Sequence, residues 1–391
     1  MDNDKEKSSD TKLKRNLSLA GLEDLFKYES ESVKTEVNFL RWPYFLPDSH
    51  VCDSYRSVKI AETIQVAGIE RQRVWKISPD DELGLPGLFE YKVFLALMRL
   101  AEEHFRQYNE VPELLYIPSL YNICKLIGLD AAQGWNKARI KEAIARMGRT
   151  QCFSMGAFYN KATNEYMDSN KSFTLITDWG FKGDMQNGRF IEQSYIVFHE
   201  AVRQNLHANY VKALDFDFIK ALKTDIAPLL YPHLSAIFHD LRLDQEYWEV
   251  GYSWLAERLG IKVYTEPWRA KQQLKAAHTE LKLTGYLAKD PEWIANGKKI
   301  RYYPGLRARY EHERQAYRKK LASKTPKKQN KKHLLISTIT ETVHKEDDYI
   351  GFLCFKLSGE RPISQEELTK ANLGSIEELK PIAISKGFQI K

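Results

Sequence analysis

Apolar residues recur three or four positions apart in several stretches of the chain. After the punctuating "GLPG", Phe89, Val93, Leu97 and Leu100 follow this spacing, which predicts an amphipathic helix over 88–108. The same spacing predicts further helices over 119–129, 134–148, 225–243, 251–261 and 265–285. Short β-type runs predict strands within 113–118, 150–160, 171–181, 189–198 and 247–250, and two strands around a polar loop in 286–304.

Local signals refine some of these elements. Ser119 is a suitable N-cap for the short helix that follows it. Thr265 is the predicted N-cap of the helix over 265–285, with Pro267 in the first turn, where proline is tolerated. Residues 37–47 are apolar and are interrupted by two prolines, so they are expected to form an extended segment against a core.

The order of the predicted elements repeats along the chain. Each half contains a long helix, a short strand, a short helix, a second helix with cations and a β-hairpin. Helix–helix–helix–hairpin is the winged variant of the helix-turn-helix, so the repeat predicts an α+β fold of two tandem winged-helix units, with a pseudo-repeat of about 130 residues. The alternative is a chance likeness between amphipathic helices. The second helix of each half has the same apolar spacing, as Ile140, Ala143 and Met147 and as Leu274, Ala277 and Leu281.

These patterns predict a five-part chain. A mobile polar tail is expected first, because the N-terminal residues are charged and contain one short apolar run. Two winged-helix domains, a basic helix with a linker, and a small appendage of unknown role are expected to follow. The predicted bounds are 1–36, 37–205, 206–305, 306–333 and 334–391.

The second helix of a helix-turn-helix enters the major groove of DNA, and its neighbours hold phosphates. Lysine and arginine suit phosphates, while arginine, lysine, asparagine and glutamine also read base edges. The last predicted helix shows one row of cationic residues, Lys271, Lys275, His278 and Lys282, beside its apolar stripe. A solvated surface without a ligand is the alternative for each residue. The predicted DNA contacts are Asn136, Lys137, Arg139, Lys141 and Arg146, then Arg269, Lys271, Gln272, Gln273 and Lys275, and in the second hairpin Lys298, Lys299 and Arg301.

Charge is unevenly distributed along the 391 residues. The whole chain carries a formal charge of +7, but residues 298–332 hold 14 Lys and Arg against two acids. The remainder of the chain is therefore net negative. A basic block within a slightly acidic protein favours a polyanionic partner, although a solvated linker has the same composition.

Several functional classes lack their sequence signals. No run of about 18 apolar residues predicts a membrane helix, and the polar start has no apolar region typical of a secretory signal. Four cysteines without a C-x-x-C pair favour reduced thiols in a cytoplasmic protein. A P-loop, a G-x-S-x-G elbow and a paired-histidine metal motif are missing from the sequence, so no enzymatic activity, metal or cofactor is expected.

The sequence resembles the replication initiator protein A family of bacterial plasmids over roughly residues 37–304. The second half carries the likeness in "NYVKALDFDFIKALKTDIAPLLYPHLSAIF", "WLAERLGI" and "WRAKQQLKAAHTELKLTGYL". The first half carries it in "GLPGLFEYKVFLALMRLAEE", "FSMGAFYNKATNEY" and "SFTLITDWGF".

The resemblance implies a plasmid replication initiator. Such a protein binds double-stranded origin DNA, often at repeated sites, and recruits the host helicase and polymerase machinery. It has no catalytic step of its own, and its homodimers often repress their own promoter. By position, the helices over 136–148 and 266–283 would be the recognition helices. The alternatives are a winged-helix transcriptional regulator and, more distantly, a nicking enzyme.

Overall fold

The computed structural model describes residues 32–47, 56–66, 69–186, 188–241, 245–311 and 381. The chain divides into two compact units, Met1–Gln315 and Ala316–Lys391. All of the described residues except residue 381 lie in the first of these units. The predicted linker beyond residue 311 and almost all of the predicted C-terminal appendage lie outside the described residues, as do residues 1–31 of the predicted tail.

Helices and small antiparallel sheets make up the described part of Met1–Gln315, which agrees with the predicted α+β class. The helices are α1 (Asn38–Arg41), α2 (Leu88–Tyr108), α3 (Leu120–Leu126), α4 (Gly134–Arg149), α5 (Glu200–His207), α6 (Phe216–Ala221), α7 (Ala227–Asp240), α8 (Tyr252–Arg258) and α9 (Pro267–Leu283). The strands are β1 (Ser32–Glu36), β2 (Val58–Val66), β3 (Ile69–Ser78), β4 (Leu115–Tyr116), β5 (Gln151–Asn160), β6 (Glu165–Thr174), β7 (Ile176–Gly180), β8 (Met185–Gln186), β9 (Arg189–Phe190), β10 (Tyr195–Phe198), β11 (Val211–Asp215), β12 (Trp248–Gly251), β13 (Glu292–Ile294) and β14 (Lys299–Tyr302).

The six predicted helices correspond to α2, α3, α4, α7, α8 and α9, whereas α1, α5 and α6 were not predicted. The helix predicted over 88–108 spans those residues as α2. Ser119 caps α3 as predicted, since its hydroxyl accepts a hydrogen bond from the backbone N–H of Asn122 at 3.1 Å. The predicted cap at Thr265 is wrong, because α9 begins one residue later with Glu266 as N-cap. Pro267 does occupy the first turn, where no helical hydrogen bond requires the backbone N–H that proline lacks.

The segment predicted to lie against the core is itself central to that core. Trp42 donates an indole hydrogen bond to the carbonyl of Ala157 at 2.9 Å. The Tyr44 hydroxyl donates to the carbonyl of Met147 at 2.8 Å. Because buried polar groups need partners, these bonds fix the segment in one position between α4 and β5. It is not wholly extended, since it begins with the single turn of α1.

The predicted tail is wrong for its last five residues, which form the buried strand β1. This strand pairs antiparallel with β11, with Ser32 opposite Asp215 and Glu36 opposite Val211. The buried carboxylate of Glu36 accepts hydrogen bonds from the Asn205 side chain and from the backbone and side chain of Asn38, each between 2.7 and 2.8 Å. Burial raises the pKa of Glu36 to about 8, while these hydrogen bonds act in the opposite direction. This polar segment therefore forms part of the interior, where the side chain of Glu36 is held by hydrogen bonds.

Two three-stranded sheets have the same strand order. The first contains β4, β7 and β10, and the second contains β12, β13 and β14. In each, the last strand along the chain lies in the middle, between the strand that precedes the short helix and the strand that follows the second helix. The element order α2–β4–α3–α4 before the first pair of strands matches α7–β12–α8–α9 before the second.

The first hairpin differs from its prediction. The runs at 150–160 and 171–181 were expected to form adjacent strands of a wing. The first run and the start of the second are adjacent, because β5 pairs with β6, but both lie in a separate four-stranded sheet of order β2-β3-β5-β6 and not in the three-stranded sheet. The second run divides between β6 and β7, and β7 pairs with β10. The loop that connects the outer and central strands of the first three-stranded sheet is thus 181–194, which contains β8 and β9.

Candidate nucleic-acid interface

The helix α9 presents a largely polar face outward because its apolar stripe is packed against the fold. Ala270, Leu274, Ala277 and Leu281 are almost fully buried, as their spacing predicts. The corresponding positions of α4, Ile140, Ala143 and Met147, are fully buried too. The face opposite this stripe carries Trp268, Gln272, Lys275 and Thr279, all of them exposed.

The row of cations beside the stripe is shorter than the sequence indicates. His278 is buried, and its Nε2 lies 2.9 Å from the hydroxyl of Tyr302, within hydrogen-bond distance. Burial lowers the pKa of His278 to about 3, although the Asp290 carboxylate acts in the opposite direction. At neutral pH this residue is an uncharged core group. Lys282 remains on the surface, where its ammonium pairs with Asp290 at 2.6 Å.

Lys271 and Lys275 differ from these two neighbours. Both are exposed on the outer side of α9, and neither has an ion-pair or hydrogen-bond partner among the residues that the structure describes. Gln272 lies between them and is also exposed. A lysine that has no carboxylate to release binds a phosphate at lower cost, because no existing ion pair has to be broken.

Aromatic and cationic side chains surround the start of α9. Trp268 is 65% exposed. The guanidinium of Arg269 lies 5.2 Å from the Trp268 ring and 5.9 Å from that of Tyr264, which are cation–π distances. Arg269 also approaches the Glu266 carboxylate at 4.0 Å. The positive end of the helix dipole adds to this local field. Trp268 and Tyr264 were not among the predicted contacts, because exposure of an aromatic ring cannot be read from its sequence position.

Gln273 serves the fold as well as the surface. The Tyr252 hydroxyl donates to its side-chain oxygen at 2.8 Å, and its side-chain nitrogen donates to the carbonyl of Lys262 at 3.2 Å. These bonds tie α9 to the first residue of α8 and to the loop that follows α8. We therefore leave Gln273 out of the surface that is free to meet a ligand.

The second hairpin packs its turn against α9. Gly297 has φ +80°, and a Cβ there would lie 2.5 Å from the Cβ of Pro267. Lys298, the next residue, is exposed and has no side-chain partner among the described residues. Because Gly297 contacts Pro267, Lys298 is placed next to the first turn of α9.

Two predicted wing cations are neutralised within the sheet. Lys299 and Arg301 both contact the carboxylate of Glu249 on β12, at 2.8 and 3.1 Å. The guanidinium of Arg301 also covers the ring of Tyr247 at 4.7 Å. Hydrogen bonds from these two cations lower the pKa of Glu249. This carboxylate therefore stays ionised and competes with any external phosphate.

The cations of α4 are mostly engaged by protein groups. Lys141 pairs with Asp184 at 2.9 Å. Arg146 pairs with Glu90 and Glu142 and donates to the carbonyl of Leu83 at 2.7 Å. We regard Arg146 as a structural residue that connects α4 to α2, which removes it from the predicted contacts.

The start of α4 differs from the prediction in one further residue. Asn136 is only 2% exposed, and its amide donates to the carbonyl of Asp130 at 2.8 Å, so it caps a loop inside the fold. Arg139 is exposed but lies over the rings of Phe89 and Trp135, at 4.1 and 5.3 Å. Lys137 is partly exposed, with no carboxylate partner among the described residues. The surface of α4 is thus less open to phosphates than that of α9.

We define the α9 face by six residues that these contacts leave available. They come from the helix itself and from the turn of the second hairpin. The α9 face consists of Trp268, Arg269, Lys271, Gln272, Lys275 and Lys298.

Other kinds of site have no candidate in the described part of the chain. Among the described residues no group of three or more His, Cys, Asp and Glu side chains could hold a metal ion. No helix in the described part of the chain is long and apolar enough to cross a membrane.

Comparison with known proteins adds little to this geometry. No protein-family profile and no curated protein matches the chain. Among solved structures, the chain is similar to a crystal structure of selenomethionine derivatives of domains 2 and 3 of RctB, with 11% sequence identity and a TM-score of 0.41. That similarity covers 69% of this chain and 98% of the other. A likeness at this level carries no conclusion about function, and the resemblance to the replication initiator protein A family stays a prediction.

Proposed function

We propose that this protein is a plasmid replication initiator that binds origin DNA through two winged-helix units. The α9 face carries the proposal. It combines two lysines that have no partner among the described residues, an exposed glutamine between them, and an exposed tryptophan at the start of a helix that would occupy the recognition position. Lysine contacts to phosphate supply affinity, while Gln272 is suited to the two hydrogen-bonding groups of an adenine edge.

The shared strand order of the two three-stranded sheets supports the tandem arrangement. In each sheet the first strand precedes the short helix and the other two strands follow the second helix, as expected of a winged helix, and that second helix is amphipathic in both cases. The two helices differ in their cations, because Lys141, Arg146 and Arg149 of α4 pair with carboxylates, whereas Lys271 and Lys275 of α9 have no partner among the described residues. Affinity for the duplex is therefore expected to come mainly from α9.

The proposal includes host helicase and replication proteins as partners and a homodimeric form that represses the protein's own promoter. It includes no catalytic step, no metal and no cofactor. The protein would act in the cytoplasm, where the buried thiols of Cys124 and Cys152 stay reduced. These features rest on the sequence resemblance. Metal-dependent cleavage of supercoiled origin DNA by the purified protein would overturn the binding-only mechanism.

The first test is binding of the purified full chain to restriction fragments of its native replicon, over a salt series with competitor DNA. Selective retention of a fragment next to its own gene is the expected result. Binding without a preferred fragment, or none above low salt, would contradict the proposal.

A second test separates an initiator from a transcriptional regulator of the same fold. A reporter plasmid that carries the retained fragment should replicate only when the protein is supplied. A promoter that responds to the protein without any replication of the reporter would favour the regulator. A reporter that replicates with wild type and fails with Lys271→Ala/Lys275→Ala would connect replication to the α9 face.

A further inference from the structure

The hairpin of β2 and β3 extends beyond the sheet to which it belongs. β5 pairs with β3 only over 74–78, whereas β2 and β3 remain paired over 62–66 and 69–73, with no third strand beside them among the described residues. At about 3.3 Å per residue, the four residues of β2 after Glu62 carry this part about 13 Å past the sheet. We call residues 62–66 and 69–73 the ribbon.

One side of the ribbon contacts α8. The Glu62 carboxylate accepts a hydrogen bond from the guanidinium of Arg258 at 2.6 Å, and Arg258 is only 5% exposed. The same guanidinium lies 4.3 Å from the ring of Trp42 and 5.0 Å from that of Trp254, so it is enclosed by aromatic rings. Because a buried guanidinium that loses its carboxylate is strongly unfavourable, this contact fixes the position of the ribbon relative to α8.

Arg71 lies on the side of the ribbon that contacts α8. Residues two apart in a strand project to the same side of a sheet, and so do residues that face each other in an antiparallel pair. Glu62 faces Arg73, and Ile64 faces Arg71. All four therefore project to the α8 side, with Ile64 and Arg71 about 7 Å farther along the ribbon. Arg71 is exposed and has no ion-pair partner among the described residues.

The other charged residues of the ribbon are paired or face away from α8. The guanidinium of Arg73 lies 3.9 Å from the Glu62 carboxylate. Glu70 faces Gln65, so both project to the opposite side of the ribbon. Arg71 is therefore the one unpaired charge on the α8 side of the ribbon, as far as the structure describes it.

The helix α8 offers phosphates no exposed cation of its own. In the proposed winged helix it is the first helix of the helix-turn-helix, which crosses the phosphate backbone while the second helix enters the groove. Its arginine, Arg258, is buried, and its one exposed charged residue is the acid Glu257. A phosphate that passes α8 therefore needs a cation from a neighbouring element, and the guanidinium of Arg71 suits it.

We infer that Arg71 binds a phosphate of the DNA strand that runs past α8. The ribbon thereby adds a contact from the first winged-helix unit to the duplex that the α9 face holds. This inference rests on the proposed DNA-binding function and adds one phosphate contact outside the α9 face. Since Glu62 and Arg258 already hold the ribbon beside α8, little ordering is needed when the duplex binds.

Methylphosphonate interference tests the contact. A set of duplexes from the retained replicon fragment, each with one phosphate replaced by an uncharged methylphosphonate, reports which phosphates the protein binds. At one or two positions the replacement should weaken binding by wild type severalfold and leave binding by Arg71→Ala almost unchanged. Lys271→Ala/Lys275→Ala should remain sensitive at these positions, because the lysines of the α9 face bind other phosphates.

The salt dependence of binding gives a second measurement. Arg71→Ala should lower the slope of log affinity against log salt by about 0.9, the contribution of one phosphate contact. Between about 50 and about 200 mM salt, this difference corresponds to about a 3.5-fold change in affinity.

Lys59→Ala is the matched control. Lys59 is exposed on β2, has no ion-pair partner among the residues that the structure describes, and projects to the side opposite Glu62, since the two are three residues apart. Its replacement removes the same charge and should leave the interference pattern and the slope unchanged. Arg71→Lys keeps the charge and should keep most of the slope. Both arginine variants should melt at the wild-type temperature, because Arg71 is exposed.

The outcomes separate the contact from the function on which it rests. If Arg71→Ala keeps the wild-type interference pattern and slope, the contact is wrong and DNA binding stands. Equal effects of Lys59→Ala and Arg71→Ala would assign the change to net charge and would contradict a contact on the α8 side. Failure of wild type to bind any fragment would overturn both proposals.

Discussion

Replacement of Lys271 and Lys275 by alanine should reduce the salt dependence of DNA binding by a predictable amount. Each lysine that neutralises a phosphate contributes about 0.9 to the slope of log affinity against log salt. Both ammonium groups are unpaired among the described residues, so each is expected to contribute fully. Lys271→Ala/Lys275→Ala should therefore lower the slope by about 1.8.

That difference in slope corresponds to a change in affinity that is easily measured. Between about 50 and about 200 mM salt, a difference of about 1.8 in slope corresponds to about a tenfold change in affinity. The factor by which affinity falls over this range should therefore be about ten times larger for wild type than for the variant. Fluorescence anisotropy with the retained fragment, repeated at five or six salt concentrations, gives both slopes.

The matched control is Lys282→Ala on the same helix. Lys282 already pairs with Asp290 at 2.6 Å, so its removal should change the slope much less than removal of either unpaired lysine. Equal slopes for wild type and Lys271→Ala/Lys275→Ala would refute the assignment of the α9 face to phosphates. Equal effects of Lys271→Ala and Lys282→Ala would refute the use of ion pairing to rank the cations.

Three further predictions concern the fold that supports this surface. Burial lowers the pKa of His278 to about 3, below the value of about 6.5 in the unfolded chain, so unfolding takes up a proton between these pH values. The stability that buried, neutral His278 contributes is therefore present above pH 6.5 and is lost as pH falls. His278→Gln should reduce the slope of the free energy of unfolding against pH by up to about 1.4 kcal/mol per pH unit, measured by urea titrations at pH 4 to 6.5. An unchanged slope would contradict the burial. Gly297→Ala should lower the melting temperature more than Gly285→Ala, because both have positive φ but only the first Cβ would collide with Pro267; equal shifts would exclude the collision. Arg258 is 5% exposed, pairs with Glu62 at 2.6 Å and covers the ring of Trp42 at 4.3 Å. Arg258→Ala should therefore lower the free energy of unfolding by about 2–3 kcal/mol in denaturant titrations. A loss no larger than that caused by Lys289→Ala, which removes an exposed ion pair, would contradict this prediction.

Strand pairing could be predicted only in part. The second hairpin was found because its two strands are close in sequence. The pairing of β5 with β3 was missed, since β3 lies more than 70 residues earlier and its charged positions hide the alternation of a half-buried strand. The same limit applies to β1, whose partner β11 lies far along the chain. Pairing between distant strands depends on the packing of the whole fold, which no local window contains.

The sequence by itself determined where α2, α3, α4, α7, α8 and α9 lie and which positions of their apolar stripes are buried, as Leu274, Ala277 and Leu281 illustrate. Helical periodicity is local, and a stripe of apolar residues has to be removed from water whatever its neighbours are. Only the tertiary structure decided which polar residues of the same helices remain available. Lys141 and Lys275 occupy equivalent positions on α4 and α9, but one meets the carboxylate of Asp184 and the other meets no described carboxylate. The charge of a side chain is a property of the residue, whereas its pairing depends on what the fold brings within a few ångströms.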